Sequence, residues 1–155
     1  MVQQTVEREV IIGAPLETVF QFWLNFQRFA TLLDDVRRVD LLDDACSQWE
    51  VAAPFNTTVA FVATTKRVES NTLIEWASEH GAGLDTVESG GTLTFARTDH
   101  DPVQTRVALH FHFDIPTAAA QQVVGMLRAL GYPDRAFDRN LQQIKTLIEA
   151  EMSVT

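Results

Sequence analysis

The spacing of apolar residues changes period repeatedly along the chain, and each change marks an element. Residues 5–12 put Val6, Val10 and Ile12 on one parity, which predicts a strand. It stops at Gly13-Ala14-Pro15. Proline is tolerated in the first turn of a helix, and Leu16, Val19, Phe20 and Trp23 then recur at helical spacing. A second short helix, over about residues 26–33, carries Phe26, Phe29, Leu32 and Leu33 on its apolar side. Strands are predicted next at 36–42, 48–52, 59–68, 73–78, 92–97 and 104–115. Within them Trp49 pairs in parity with Val51, Phe61 with Val59 and Ala63, Trp76 with Ile74 and Ser78, and Phe95 with Leu93. The last strand alternates most clearly: Val107, Leu109, Phe111 and Phe113 face one way, and Arg106, Ala108, His110, His112 and Asp114 the other. Such alternation belongs to an antiparallel sheet with one covered face. Pro54-Phe55-Asn56, Ser70-Asn71 and Asp99 to Pro102 read as turns, and Gly81, Gly83, Gly90 and Gly91 bracket a loose stretch.

The tail is helical in two pieces. Residues 118–130 hold Val123, Val124, Leu127 and Leu130. A break is expected at Gly131-Tyr132-Pro133, since glycine suits a helix C-terminus and the residue before proline leaves the α region. Residues 134–152 then present Phe137, Leu141, Ile144, Leu147 and Ile148 as a stripe, with Arg135, Asp138, Arg139, Gln142, Gln143 and Glu149 on the wet side.

Six or seven strands with one apolar face and an amphipathic final helix predict a single α+β domain over residues 1–155, with the helix laid across the sheet. Twist makes such a sheet concave, and a concave sheet and a straight helix leave a gap. The residues expected to line it are Trp49, Phe61, Trp76, Phe95, Phe111 and Phe137, with Ser78 inward among them and Leu141 on the helix. The competing expectation is that these side chains simply fill a close-packed interior.

Composition narrows the function. The chain has 155 residues, enough for one core, with 46% apolar and 21% charged residues. Ten Phe against one Tyr supply bulky side chains that ask for no hydrogen bond. A net charge of −9 with scattered basic residues disfavours nucleic acid and anionic lipid surfaces. Cys46 is the single cysteine, so neither an internal disulfide nor a cysteine metal cluster is expected. The first ten residues lack a signal-peptide core and no stretch has the length of a membrane span, so a cytoplasmic location without membrane insertion is expected.

Candidate chemistry is sparse. His110 and His112 share a strand face, but no third metal ligand stands at a fixed offset and their parity is the polar one. Ser78 and Thr65 on the inner parity, and Asp34, Asp35, Arg37 and Arg38 near the rim, are groups a cyclase would need to move protons. Yet no His, Glu or Asp stands at a clearly inward position, and the rim charges read as a solvated loop and strand start. There is no G-x-S-x-G elbow, and Gly81-Ala82-Gly83 is not followed by a helix. Asp43 and Asp44 beside Cys46 argue against a reactive thiol. No catalytic residue, metal site or cofactor is assigned.

Several strings, taken in order, resemble the SRPBCC (START-like) superfamily, and in particular its bacterial polyketide cyclase/dehydrase branch. Ala14-Pro15 with Val19-Phe20 follows the first strand. Asn25-Phe26-Gln27-Arg28-Phe29 is similar to the family's D-F-E-R-Y, Ile74-Glu75-Trp76-Ala77-Ser78 to its I-x-W-x-S strand, and Leu141 to Glu149 to its terminal helix. Pro133 interrupts the tail where many relatives run on. The resemblance implies a helix-grip fold: a curved antiparallel sheet around a long C-terminal helix, two short helices after the first strand, and a hydrophobic cavity. Members bind lipids, sterols or polyketides, and only some catalyse. The leading expectation is therefore a carrier or sensor of a small hydrophobic molecule. The alternatives are an aromatase/cyclase or dehydratase acting on a polyketide-type substrate, and a partner-binding module with a collapsed cavity.

Overall fold

The computed structural model describes residues 2–53, 56–80, 88–99, 104–115 and 134–153. Strand β1 (Val2–Ile12) leads into helix α1 (Leu16–Leu24), a 3-10 turn (Phe26–Arg28) and a one-turn helix α2 (Phe29–Leu32). Strands β2 (Val36–Leu41), β3 (Cys46–Ala53), β4 (Thr57–Glu69), β5 (Leu73–His80), β6 (Glu88–Arg97) and β7 (Thr105–Ile115) follow, and then helix α3 (Asp134–Ser153). The strands form one curled sheet of seven in the order β1-β7-β6-β5-β4-β3-β2, antiparallel at every step. The chain thus walks strand by strand from β2 to β7, and only β1 joins out of sequence. This is the α+β, helix-grip-like arrangement that the alternation and the resemblance predict. The expected helix over 118–130 and the break at 131–133 lie outside the described residues.

Local chemistry sets the boundaries. β1 ends where Gly13 N–H donates to Glu149 Oε2 at 2.7 Å. Pro15, extended at φ −63° and ψ 149°, then opens α1, whose Val19, Phe20, Phe22 and Trp23 are buried. The single helix expected over 26–33 is two pieces. Asn25 leaves helical geometry (φ −90°, ψ 41°), and its carbonyl accepts from Arg28 N–H at 3.1 Å, which tightens the chain into a 3-10 turn. At the β4–β5 hairpin Asn71 takes φ 58°, a left-handed conformation that asparagine tolerates, and Thr72 N–H closes on Glu69 O at 3.0 Å. At the β2–β3 hairpin the Asp43 carboxylate accepts from the N–H groups of Ala45 and Cys46, each at 2.8 Å. Those backbone donors hold its carboxyl below the usual carboxylate range.

Gly90 and Gly91 do not belong to a loop, as the sequence suggested, but to β6. A Cβ at Gly91 would sit 2.6 Å from Trp76 Cζ2, because the Trp76 indole lies across β6 at that point. A Cβ at Gly90, on the other face, would meet Trp76 O at 2.9 Å and His112 Nε2 at 3.1 Å. The missing side chains are a clearance for two rings, not a turn signal.

The densest packing lies at one end of the sheet. Ile12, Val19, Phe20, Phe95, Val107 and Ile148 are buried there. The Phe95 ring meets Phe20 edge-on at 5.1 Å and Trp23 at 5.7 Å. Thr105, wholly buried, donates its hydroxyl to Ala14 O at 2.9 Å. Helix α3 packs chiefly along β1 and runs in the same direction. Arg8 Nε binds Asp138 Oδ1 at 2.7 Å near its start, and Glu149 binds Gly13 near its end. From 138 to 149 a helix rises about 17 Å, and from 8 to 13 a strand advances about 17 Å, so both ties close without strain.

Candidate functional site

The register lines up the inner face of the sheet row by row. One row runs Val39, Trp49, Phe61 across β2, β3 and β4. The next runs Leu41, Ser47, Ala63, Ser78, Ser89 from β2 to β6. A third runs Thr65, Trp76, Gly91, Phe111, Val6 from β4 to β1. Phe95 and Val107 share a row nearer the densely packed end. A bulge in β4 between Thr65 and Arg67 increases the local twist of the sheet.

The expected lining residues divide between these regions. Trp49 is half-buried; its ring stacks on Phe61 at 6.0 Å (8° between planes) and on Phe26 at 5.5 Å (24°), with Phe29 edge-on at 6.1 Å. Trp76 is half-buried on β5, directly over Gly91. Ser78, between these rings in the serine row, is 4% exposed. Phe111 and Phe137 meet at 5.0 Å and join β7 to the start of α3. Phe95 and Leu141 are brought instead into the buried core, at 4% and 7% exposure.

Four inward polar groups escaped the sequence reading. Ser47, 3% exposed, accepts the Trp49 Nε1–H at 2.8 Å. Ser89, 7% exposed, stands opposite Ser78. Arg8 shares the parity of Val6 and Val10 and pairs with Asp138. Asn140 Oδ1, on α3, is buried with no hydrogen-bond partner among the described residues. Ser47 was legible, since it shares the parity of Trp49 and Val51. Ser89 was not, because it precedes two glycines that read as a loop.

The rim charges are not merely solvated. Asp35, with 16% of its side chain exposed, accepts from Arg139 Nε at 2.8 Å and from Nη2 at 2.6 Å. Asp34 N–H reaches Gln143 Oε1 at 3.3 Å. Arg38 turns along its own strand to Asp40. Glu149 accepts from Lys145 as well as from Gly13, and the Lys145 bond first, then the Gly13 N–H, holds its carboxyl below the usual range against the effect of partial burial.

The remaining features lie outside this face. His110 and His112 are exposed, with His110 Nδ1 3.3 Å from Glu7 Oε1. Together with Thr5, Glu7 and Phe111 they border a depression of about 190 Å³. A second depression, about 350 Å³, lies between α1 and the end of α3 and includes Glu17, Gln21, Arg28 and Glu151. Among the described residues no group of three His, Cys, Asp or Glu is placed to hold a metal ion. No helix of the described residues is long and apolar enough to cross a membrane.

Known proteins share this arrangement. An uncharacterized 17.2 kDa protein of Streptomyces lincolnensis is 26% identical over 144 residues, covering 93% of this chain and 89% of its own. A crystal structure from Deinococcus radiodurans is 27% identical, with a TM-score of 0.58 over 81% of this chain and 95% of its own. An aromatase/cyclase from Streptomyces sp. R1128 is only 14% identical, yet superposes with a TM-score of 0.79 over 97% of this chain and 96% of its own. A family model described as polyketide cyclase / dehydrase and lipid transport matches residues 12–145, from the end of β1 into α3. With the strings of α1 and β5, strands β2 to β7 and the start of α3 inside that match, the chain belongs to the polyketide cyclase/dehydrase and lipid transport family.

Proposed function

We propose that the concave face binds a small, mostly apolar molecule, and that the protein acts as its carrier or sensor. The observation that carries this reading is the state of Trp49, Phe61 and Trp76. They are half-buried on the inner face, while the residues at the α1 end are packed to exclusion of solvent. Half-buried aromatic rings on a concave surface are the usual lining of a ligand site. Binding would draw mainly on buried apolar area, about 25 cal/mol per Å² before ordering costs. Native mass spectrometry of the purified protein, followed by solvent extraction, tests this. A discrete apolar adduct, lost in Trp49→Ala while the variant stays folded, is the expected result. A clean mass, together with no measurable binding of naphthalene or palmitate, would refute it.

A second reading, as an aromatase/cyclase or dehydratase, gains from one observation. His80 takes the register position opposite Phe61, two residues beyond Ser78. Turnover of a poly-β-keto substrate that disappears in both Ser78→Ala and His80→Ala would establish it. Absence of turnover by the wild-type protein would leave binding as the function.

A further inference from the structure

The two edges of the sheet differ. Helix α3 packs along β1. β2, at the other end of the strand order, pairs with β3 alone. Leu42 N–H donates to Cys46 O at 2.9 Å, which fixes the alternation of the ladder. Arg38 and Asp40 turn their backbone groups to β3, and Val39 and Leu41 turn theirs outward. No strand of the described residues receives them. Beside this edge Leu41 and Leu42, 55% and 54% exposed, are the most exposed large apolar side chains among the described residues. An edge left open in this way is a template for another strand.

The charges on β2 specify which strand fits. Arg38 and Asp40 alternate with Val39 and Leu41, so they lie on the outer face, away from Trp49. A second copy of β2 can lie antiparallel against the first, with Val39 opposite the partner's Val39. Those two residues then exchange N–H and C=O hydrogen bonds. In the same register Arg38 stands directly opposite the partner's Asp40, and Asp40 opposite the partner's Arg38. These are the pairs between the hydrogen-bonded ones, where side chains come closest, with Cβ atoms about 4.5–5.5 Å apart. Along one strand the same two positions are about 7 Å apart. The Arg38–Asp40 pair inside each copy is thus exchanged for a closer one across the junction. A slip of two residues either way, which keeps outer face beside outer face, brings Arg38 onto the partner's Arg38 or Asp40 onto the partner's Asp40. Charges that ordinarily keep an edge from pairing here permit one register and oppose its neighbours.

We propose that the open edge of β2 is the interface of a symmetric homodimer, in which the two seven-stranded sheets join into one. The two-fold axis passes between the paired Val39 residues, so one surface serves both copies. Leu41 and Leu42 come level with the partner's Arg37 and the partner's Val36, and lose exposure there. Paired residues point to the same face, so both concave faces open on the same side of the joined sheet. The pairing uses neither Trp49, Phe61 nor Trp76, and it stands or falls apart from ligand binding.

Sedimentation equilibrium of the wild type, of Arg38→Asp, of Asp40→Arg and of an equal mixture of the two variants tests it. The wild type is expected to dimerise. Each variant alone sets like charges opposite each other twice, and should dimerise at least about tenfold more weakly. In the mixture, two acidic positions on one copy meet two basic positions on the other. A heterodimer as tight as the wild-type dimer is therefore expected, which also shows that both variants are folded. Amide hydrogen exchange on the wild type needs no variant: the Val39 N–H should exchange more slowly as protein concentration rises through the dimerisation range. A wild type still monomeric at about 1 mM, a concentration at which even weak specific association is visible, overturns the proposal. So does a dimer that persists undiminished in either variant, a mixture of folded variants that stays monomeric, or a Val39 amide indifferent to concentration.

Discussion

At the scale of single residues, the contact between Trp76 and Gly91 decides the shape of the inner face. An indole laid over a strand interior needs a position without a Cβ, and β6 supplies it. Gly91→Ala would place the new carbon 2.6 Å from the ring and 2.7 Å from His110 O, so both a side chain and a strand must shift. Overpacking of this kind costs about 1–3 kcal/mol. Chemical denaturation should show that loss, and tryptophan emission should move as the indole is displaced; an unchanged spectrum and stability would mean the ring has another resting place. The same contact explains a failure of sequence reading. Two successive glycines signal a turn unless one knows what lies across the sheet from them. Parity, in contrast, was reliable: Trp49, Phe61, Trp76 and Ser78 fall on the inner face because side chains alternate strictly along a strand. What parity cannot give is the neighbour on the next strand, so the juxtaposition of Ser78 and Ser89 was invisible until the register was known.

At the scale of elements, α3 is the informative case. Its apolar stripe was legible, and Leu141, Ile144 and Ile148 are buried as the spacing predicts. Its polar residues were taken for a wet face, yet Asp138, Arg139, Gln143 and Glu149 reach Arg8, Asp35, Asp34 and Gly13 respectively. They flank the stripe on both sides, and a residue at the edge of a buried stripe is close enough to touch what the stripe packs on. Of these ties, Glu149 carries a pH signature. Its carboxyl titrates below the ordinary glutamate value of 4.5, so ionisation favours the folded state. That contribution is complete above the ordinary value and is lost as pH falls through the lowered folded value. Glu149→Gln should therefore be less stable than wild type near neutral pH, and the gap should be smaller at an acid pH below the ordinary glutamate value. Urea unfolding at the two pH values measures it, and a gap that widens in acid would contradict the assignment.

At the scale of the whole molecule, packing is graded from a solid end, where α1 and the close of α3 meet β1, β6 and β7, to a looser end around Trp49 and Phe61. Architecture was readable because one long amphipathic helix and a run of alternating strands leave few ways to bury both. The identity of an occupant was not, because the residues that would define it lie on four different strands. A bound probe should stabilise the fold as a whole: at a free concentration about 100-fold above its Kd the gain is about 2.7 kcal/mol, or roughly 5–10 °C in Tm for a chain of this length. A thermal scan with naphthalene checks this, and an unmoved midpoint at saturation would mean that the probe binds the unfolded chain as well.

The placement of β1 also matters while the protein is being made. Val10 pairs with Val107, so β1 leaves the ribosome roughly a hundred residues before the strand it pairs with. At about 5–20 residues per second that delay is on the order of 5–20 s. Throughout it, β2 to β6 can zip together hairpin by hairpin, while β1 waits with Val6, Val10 and Ile12 uncovered. Glu7, Arg8 and Glu9, set between those apolar positions, give the waiting strand charges that discourage it from pairing with another nascent chain.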